Sequence, residues 1–440
     1  MTKMNKRKVV RLVVEAVTPL AVGSGEGNVM TDSVVAVDFR GLPYIPGTSL
    51  AGVLRHAVEH VSEMDVLFGK HDGINSTGSK IIVSEARIVD FDGSVVDGVI
   101  KNPSHELMNF YADCPVRQHV CINEKGVTDG AGKFDNQVVY KGTRFCFDLE
   151  CLLDEEKDEG LFDAVLDVVL GAGLRVGGGI RKGYGLLEVR AISSAVFDLD
   201  KKEEMMLYLD YSSRLAAPDM KPVDAGEKAD EKKYKSFLLK LSPEDFVFFG
   251  SGLGNKNADS MALTERYVHW DSNNEGTPKD GVVFPGSSIK GAFAHRFRYW
   301  YNVLDPSNEG EPAKGDAASR ILFGTVDGKK QVPGLMFFED VILDDKYSRK
   351  VFNHVMIDRF TGGAFPGALY NEEAVYMKGV PFELRFTLDL NGLNQRCANE
   401  GVDPKKVEDA IDLVERDINE GLLPLGGLTN RGHGCFKSVN

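Results

Sequence analysis

The stretch FGSGLGNKNADS at residues 249–260 repeats, without a gap, the stretch VGSGEGNVMTDS at residues 22–33. The glycines, one asparagine and an Asp–Ser pair recur at the same spacing in both copies. Further pairs of segments follow in the same order, namely IPGTSLAGVLRH (45–56) with FPGSSIKGAFAH (284–295), LFG (67–69) with LFG (322–324), HVCIN (119–123) with HVMID (354–358), and VGGGIRKGYG (176–185) with LGGLTNRGHG (425–434). Ordered matches of this kind indicate a tandem duplication.

The duplication divides the 440 residues into two units, each of the size of an ordinary domain. We predict a first domain over residues 1–195, a linker over 196–235 and a second domain over 236–440. The linker stretch alternates acidic and basic residues and lacks the long hydrophobic periodicity of packed elements.

The overall charge argues against a nucleic-acid-binding protein. The chain has 52 basic and 66 acidic residues, a formal net charge of -14, whereas a basic domain is the usual footprint of such proteins. Much of the acidic excess falls in two windows, 154–167 and 403–420, at or near predicted helices. We therefore expect an acidic helical back that faces solvent or a partner, and a basic face that follows a nucleic acid. The cations that suggest such a face are Lys3, Lys6, Arg7, Lys8, Arg11, Arg175, Arg181 and Lys182.

Cysteine spacing and hydropathy argue against two classes of protein. The six cysteines form no CxxC pair, which disfavours a zinc ribbon, and we expect a cytoplasmic chain with reduced thiols. No apolar run approaches the roughly 20 residues that a membrane helix needs, so we expect no membrane partner. The run at residues 9–17 is interrupted by Arg11 and Glu15 and is a poor signal peptide.

Hydrophobic periodicity predicts the same succession of elements, β-α-β-β-α-β, in both units. This is the plan of an α+β chain with two tandem ferredoxin-like (RRM-like) domains. Thr48 or Ser49 is expected to cap the first helix of the first unit, and Ser288 that of the second. Stretches 88–143 and 340–380 exceed ordinary loops and are expected to be functional insertions. The predicted strands are 9–17, 81–83, 144–153 and 186–192, then 335–338, 381–388 and 435–439, and the later helix of each unit is predicted at 161–170 and 407–418.

The first glycine loop of each unit is a candidate phosphate-binding loop. Gly23 and Gly25, repeated as Gly250 and Gly252, let backbone N–H groups approach a phosphate closely. A plain flexible loop explains a single such motif, but the duplication with an unchanged Asp–Ser pair favours a function. The loop is not a dinucleotide-binding fingerprint, because a strand-like segment rather than a helix follows it.

The loop near the end of each unit joins glycines to cations. Arg181 and Lys182 in the first copy, and Arg431 in the second, can neutralise phosphate. Tyr184 and His433 can stack on a base. A tight turn is the alternative, although it does not require cations in both copies.

The first helix of each unit offers a further place for an anion. Helix N-terminal N–H groups near Ser49 and Ser288 favour negative charge, and plain capping is the alternative. His56 and His295 lie on the same helices and are structural or adjacent to a phosphate. The sequence contains neither an HExxH motif nor a close His/Cys cluster, so we expect no dedicated metal cage.

In combination these motifs resemble one family. The order strand, GSGxG loop, aspartate, PG(T/S)S helix, LFG, HVxI and terminal glycine loop is similar to the RAMP superfamily, the backbone proteins of type III CRISPR effector complexes. The segment HVMIDRFTGGA (354–364) is especially typical, whereas the first unit has Asn123 and Glu124 in place of Asp358 and Arg359. The chain looks most like a double backbone subunit of a type III-D complex. A tandem end-cap subunit of another type III complex is the alternative.

The resemblance implies a function. Family members line up along a CRISPR guide RNA, grip its backbone through glycine loops and first-helix residues, and kink the guide–target duplex with a thumb-like insertion in each unit. An aspartate after the first strand cuts single-stranded target RNA, and Asp32 and Asp259 occupy that position. The implied partners are guide RNA, target RNA and other effector subunits. The residues implied in RNA binding are Gly23, Gly25, Ser49, Arg55, His56, Gly178, Arg181, Lys182, Gly250, Gly252, Ser288, Lys290, His295, Arg359, Gly427, Asn430 and Arg431.

The chemistry of RNA cleavage limits what the two aspartates can do. In-line attack by a 2′-OH needs a distorted backbone and relief of charge on the phosphate. A free Asp, with a pKa of about 3.9, is a weak general base at neutral pH. We therefore expect Asp32 and Asp259 to hold Mg²⁺ or Mn²⁺ loosely, or to orient the 2′-OH. Two alternatives are a structural RNA-binding subunit with inert aspartates and a guide-processing endoribonuclease that uses His56 or His295.

Overall fold

The computed structural model of the chain describes residues 5–25, 27, 31–59, 61–73, 76–98, 101–122, 128–171, 174–211, 215, 221–222, 234–305, 313–327, 330–344 and 347–439. Lys3, Asn123, Glu124 and parts of the expected linker lie outside these ranges. We call residues 5–198 the first unit and residues 234–439 the second unit.

The first unit contains eight strands and four helices among its described residues. The strands are β1 (Lys6–Ala16), β2 (Ile81–Val83), β3 (Arg87–Ile88), β4 (Val116–Ile122), β5 (Thr128–Gln137), β6 (Arg144–Leu153), β7 (Leu174–Arg175) and β8 (Leu186–Asp198). The helices are α1 (Gly47–Ala57), α2 (Asp65–Phe68), α3 (His105–Tyr111) and α4 (Glu156–Leu170). A helix, α5 (Lys202–Tyr211), and a short strand, β9 (Lys221–Pro222), follow.

The second unit repeats this order with additional strands. Its strands are β10 (Tyr234–Pro243), β11 (Phe246–Val247), β12 (Ser260–Met261), β13 (Thr264–Trp270), β14 (Gly276–Phe284), β15 (Gly324–Asp327), β16 (Lys330–Pro333), β17 (Met336–Phe338), β18 (Val341–Asp344), β19 (Ser348–Ile357), β20 (Ala364–Tyr376), β21 (Phe382–Asp389) and β22 (Phe436–Ser438). Its helices are α6 (Gly286–Leu304), α7 (Ala313–Phe323), α8 (Leu390–Glu400), α9 (Pro404–Asn419) and a 3-10 turn at Thr429–Arg431.

The central sheets of the two units have the same topology. Strands lie in the order β2-β6-β1-β8 in the first unit and β17-β21-β10-β22 in the second, and each adjacent pair is antiparallel. Within its sheet, the first strand of each unit (β1 or β10) lies between the strands that come third and fourth in the predicted β-α-β-β-α-β plan. The mixed α and β class predicted from the sequence is therefore confirmed.

The central strands and first helices follow the expected apolar patterns. In β1, Val10, Leu12 and Val14 are completely buried. Leu50 and Leu54 of α1 pack into the same core, and Ile289, Phe293 and Phe297 of α6 pack into the core of the second unit. Alternation along a strand and a spacing of three to four along a helix place these side chains on one face.

The predicted caps, Thr48 or Ser49 in the first unit and Ser288 in the second, are wrong. Helices α1 and α6 begin after Pro46 and Pro285, and neither has a side-chain cap. Ser49 and Ser288 lie inside the first turn, because proline takes the position that precedes the helix. In α6 the first N–H group, that of Gly286, donates instead to Oδ1 of Asp340 at 2.7 Å.

The acidic helices do not form a fully solvated back. Asp158 of α4 and Asp417 of α9 are completely buried and accept hydrogen bonds from Lys80 and Arg296. The exposed acids also serve the fold: α4 pairs with Lys8, and α9 pairs in the same way with its counterpart Lys235. Several cations expected on a basic face are used in such pairs, namely Arg7 with Glu150, Lys8 with Glu159 and Asp163, Arg11 with Asp148, and Arg175 with Glu339.

The two units pack against each other through polar and apolar contacts. Arg117 of the first unit lies between Glu265 and Asp340 of the second, and all three are nearly fully buried. Val268 of the second unit packs into the core of the first, where its N–H group donates to the Lys141 carbonyl at 2.9 Å. No helix in the described part of the chain is long and apolar enough to cross a bilayer.

Candidate nucleic-acid interface

Each catalytic candidate is held by a reciprocal pair of hydrogen bonds. The N–H group of Asp32 donates to Oδ1 of Asp135 at 2.8 Å, and the N–H group of Asp135 donates to Oδ2 of Asp32 at 3.0 Å. Asp259 and Asn371 form the same pair, with distances of 2.7 and 2.9 Å. We call this arrangement the aspartate clip. It fixes an exposed carboxylate against the hairpin β4–β5 or β19–β20 in both units.

The first glycine loop builds the clip. Gly25 and Gly252 have φ angles of 85° and 79°, a left-handed conformation that glycine adopts without strain. A Cβ on Gly27 would lie 2.7 Å from the Asp32 carbonyl oxygen, and one on Gly254 would lie 2.5 Å from that of Asp259. The recurring glycines therefore have a reason in the fold, whether or not a phosphate binds.

The terminal glycine loop of each unit packs on the first. The Gly178 N–H group donates to the Ala21 carbonyl, and the Gly427 N–H group donates to that of Phe248, both at 2.7 Å. The two glycine loops of a unit thus meet at the end of its first strand. Gly23 and Gly250 lie in the same region and are exposed.

One pair of matched glycines has no reason in the described fold. Gly52 of α1 and Gly291 of α6 are helical and exposed, and a Cβ on either would meet nothing within 4 Å. A glycine inside an exposed helix costs about 1 kcal/mol relative to alanine. The glycine shares a helix face with the residues three before and four after it. We call this face the helix stripe: Ser49, Gly52 and His56 in the first unit, and Ser288, Gly291 and His295 in the second, with Ser49 half-buried and the others exposed.

The cations of the first unit's terminal loop contact protein. Arg181 donates to the Gly334 carbonyl and stacks on Phe337 of the second unit. The Lys182 ammonium lies 4.8 Å from the centre of the Phe134 ring. Arg181 is thus part of the joint between the units, a role that the sequence did not suggest.

The first-helix cations also have partners. Lys290 donates to the Phe323 carbonyl at 2.7 Å, and burial, with the nearby charges of Lys182 and Arg181, lowers its pKa to about 8. Arg55 pairs with Asp65 at 3.0 Å. His56 lies 3.0 Å from Glu59 and remains largely exposed.

The two proposed base-stacking rings are buried. Tyr184 is 1% exposed, and its hydroxyl group lies 3.0 Å from Nε2 of His119. His433 is 7% exposed, and its ring contacts Phe246 and Phe352. The expectation that these rings stack on bases is wrong for this structure, because both fill space at the base of a hairpin.

The second unit surrounds its clip with an ionic network. Arg431 bonds to Glu372 at 3.0 Å, and Arg349 bonds to the adjacent Glu373 at 2.7 Å. The equivalent positions of the first unit carry Asn136 and Gln137, so the two clips differ in charge. Two further RNA-binding candidates of the second unit, Asn430 and Arg359, are exposed.

The comparison with family models agrees with the duplication. The model of the RAMP superfamily matches residues 13–188 and again residues 224–437. The chain belongs to the RAMP superfamily. Each matched segment contains one aspartate clip, one helix stripe and strands of one central sheet. No curated protein sequence matches the chain at a significant level.

The sequence reasoning missed the partners of the two aspartates. Asp135 and Asn371 occur in the segments FDNQVVY (134–140) and YNEEAVY (370–376), which share a valine and a tyrosine at matching places. These segments extend the RAMP duplication into the hairpins. That weak similarity was the available signal, and only the register of the hairpin brings it to the aspartates.

The RAMP clips supply oxygen donors but no complete metal cage. Among the described residues, no group of three or more His, Cys, Asp or Glu side chains could hold an ion. The first clip offers two carboxylates, those of Asp32 and Asp135. The second clip offers the carboxylate of Asp259 and the side-chain amide oxygen of Asn371. Oxygen donors suit Mg²⁺ or Mn²⁺ when water and phosphate complete the coordination. The donors present fit a loosely held ion of that kind.

Proposed function

We propose that this chain is a double backbone subunit of a type III CRISPR effector complex, most like type III-D, and cleaves target RNA at two positions. Each unit binds a guide RNA, and each aspartate clip serves one cut. The observation that carries this proposal is the clip itself, which recurs with the same hydrogen bonds in both halves of a RAMP chain. Two ordered, exposed carboxylates at equivalent places suit two equivalent reactions.

The domain architecture that accompanies this function is ferredoxin-like. The strand order with β1 and β10 in the middle, and helices after the first and third strands, supports that assignment. We infer that the hairpins β4–β5 and β19–β20 are the thumbs that kink a guide–target duplex. Phe360 at the turn of the second hairpin is fully exposed, as an apolar wedge between bases requires.

Guide binding is assigned to the helix stripes and the exposed glycine loops. An exposed helical glycine permits the close approach of another backbone, and serine and histidine side chains beside it can donate hydrogen bonds to phosphate. The stripes of α1 and α6 are repeated at equivalent places. A guide that follows both stripes contacts both units in the same way.

Each clip contributes orientation to the cleavage step. Asp32 and Asp259 are positioned by their partners' N–H groups to accept a hydrogen bond from the attacking 2′-OH or to face a divalent ion. Mg²⁺ or Mn²⁺, when bound, relieves charge on the phosphate. Attack by the 2′-OH on the adjacent phosphodiester leaves a cyclic phosphate on one product and a free 5′-OH on the other.

A second candidate function is a structural RNA-binding subunit. The reciprocal hydrogen bonds give both aspartates a role in loop architecture that needs no catalysis. Guide processing by His56 or His295 has less support, because neither is placed beside the clip by any described hydrogen bond.

The test maps cut positions with charge-removing variants. The complex is reconstituted with guide RNA and end-labelled target RNA. Asp32→Asn and Asp259→Asn keep an oxygen that accepts the partner's N–H group but remove the negative charge. We expect each variant to lose one cut by about a hundredfold or more and to retain the other.

Asp280→Ala, on an exposed position of β14, is the control and should cleave as the wild type does. Full-rate cutting at both positions by the Asp32→Asn/Asp259→Asn double variant, with RNA still bound, would refute the catalytic role and favour the structural one.

A further inference from the structure

One guanidinium group at the joint between the units binds two buried carboxylates. Arg117 makes hydrogen bonds of 2.6 and 3.0 Å to the Glu265 carboxylate and a further bond to Asp340. At most 3% of each of these side chains is exposed. Two carboxylates of the second unit therefore take their counter-charge from the first unit.

The duplication gives the first unit an equivalent pair of carboxylates on its free face. Val37 pairs with Pro43 in the first unit as Thr264 pairs with Val282 in the second. Asp38 therefore occupies the position of Glu265. Ile45 pairs with Ala86 in the first unit as Phe284 pairs with Val341 in the second. Glu85 therefore occupies the position of Asp340. Arg87 of the same unit pairs closely with Glu85 and lies 3.9 Å from Asp38, and the second unit has Ile342 at its place.

The free hairpin face of the second unit lacks the arginine. In the second hairpin Phe352 pairs with Glu372, and in the first hairpin Arg117 pairs with Asn136. Because Glu372 and Asn136 are equivalent, Phe352 occupies the position of Arg117. The Phe352 ring packs on Phe246, with centroids 5.0 Å apart. This end of the chain therefore offers an aromatic ring where the first unit offers a guanidinium group.

The glycines that meet at the joint recur at both free ends. At the joint, a Cβ on Gly286 would lie 2.9 Å from the Gly183 Cα atom. The equivalent residues at the free ends, Gly47 and Gly432, are also glycines, and a Cβ on Gly432 would meet nothing within 4 Å. The ends thus keep the glycines of the joint and differ from it in charge.

We propose that Arg87 and Phe352 together prevent copies of this chain from joining head to tail. Arg87 supplies internally the counter-charge that an incoming arginine supplies at the joint, and Phe352 withholds that arginine. A head-to-tail interface that does not close into a ring extends into filaments. The two residues limit the array that this chain forms by itself to its own two units. This proposal goes beyond RNA binding and cleavage and does not depend on them.

We expect the Arg117 ion pairs, rather than the neighbouring Arg175–Glu339 pair, to control head-to-tail association. Arg175 and Glu339 also pair across the joint, at 3.7 Å, and their counterparts at the free ends are Pro424 and Ser84. That pair is longer and 15% exposed on each side, whereas the side chains of the Arg117 pairs are at most 3% exposed. A fully buried pair is far more sensitive to the loss of one partner.

The test measures self-association of the full chain without RNA by sedimentation equilibrium over a wide range of protein concentration. The Arg87→Ala/Phe352→Arg double variant frees the acidic pair and supplies the arginine. We expect its dissociation constant for self-association to be at least about tenfold lower than that of the wild type or either single variant. Adding Glu85→Gln to the double variant should abolish the gain.

Arg385→Ala/Phe352→Arg is the matched control, because Arg385 pairs with Glu383 two residues away, as Arg87 pairs with Glu85. It should behave as the wild type does. Arg87→Gln/Phe352→Arg is the second version of the test, and circular dichroism verifies the fold of each variant. A folded double variant that associates no better than the wild type overturns the proposal, and so does a wild-type chain that forms filaments.

Discussion

Arg117 illustrates how much one side chain contributes to the relation between the two units. Its removal leaves Glu265 and Asp340 buried without a counter-charge, and breaking a buried ion pair costs about 3–5 kcal/mol. We expect Arg117→Ala to lower the free energy of unfolding by that amount in urea titrations followed by circular dichroism.

The exposed pair of Arg385 and Glu383 provides the control for that measurement. Arg385→Ala should leave the free energy of unfolding nearly unchanged, because water screens an exposed ion pair. Equal effects of the two substitutions would contradict the structure of the joint.

His119 makes stability depend on pH. Burial, with the positive charges of Lys182 and Arg117, lowers the pKa of the imidazole from 6.5 to about 4. The unfolded chain then binds more protons than the folded chain between these pH values. The stability that depends on a neutral His119 is complete above pH 6.5 and falls, by up to about 1.4 kcal/mol per pH unit, as the pH decreases toward 4.

His119→Gln isolates this contribution, because glutamine can hydrogen-bond to the Tyr184 hydroxyl but does not titrate. We expect the free energy of unfolding of the wild type to fall relative to that of the variant between pH 6.5 and 4. Parallel pH profiles would show that His119 does not titrate as its burial requires.

The glycines that recur in both units are of two kinds: those where a side chain would clash and those where it would meet open space. Gly254→Ala places a Cβ 2.5 Å from two carbonyl oxygens of the clip loop and should destabilise the second unit. Gly291→Ala adds a methyl group to open space inside α6 and should raise the free energy of unfolding by about 1 kcal/mol. Thermal unfolding of the two variants compares them directly. The same sign for both substitutions would contradict the geometry of the loop or of the helix.

Elements whose pattern is local were predicted well from the sequence. Strands β2 and β6 have the predicted bounds, because the pattern of apolar residues along a strand records which face is buried. Helix α4 begins five residues before the predicted 161, since a capping box at Glu155 and Asp158 extends it through acidic residues.

Features that depend on distant pairing were not predictable in this way. The partner of Asp32 lies 103 residues along the chain, and the partner of Arg117 lies 148 residues away. Tyr184 looked like an exposed ring in a cationic loop, and its burial depends on how the loop packs on a hairpin. Periodicity does not carry information about such contacts, whereas the duplication carries part of it.

In the molecule as a whole, the negative net charge does not argue against the proposed RNA binding. The acids of α4 and α9 neutralise Lys8 and Lys235, which occupy equivalent places in the two sheets. Much of the negative charge therefore belongs to the fold of each unit. The surface proposed to bind RNA consists of the helix stripes and the clips.

If the stripes of α1 and α6 lie against RNA, as we propose, a negative charge placed on either stripe must weaken RNA binding. Gly52→Glu and Gly291→Glu each introduce a carboxylate where a Cβ meets nothing within 4 Å. Gly160→Glu does the same on the acidic helix α4, where a Cβ also meets nothing within 4 Å, and is the matched control. The measurement is the affinity for a fluorescein-labelled, mixed-sequence single-stranded RNA long enough to span both units. We expect each stripe variant to bind about tenfold more weakly, because like charges repel at short range, and Gly160→Glu to bind as the wild type does. Equal affinity of the stripe variants, the control and the wild type would contradict RNA binding by the helix stripes.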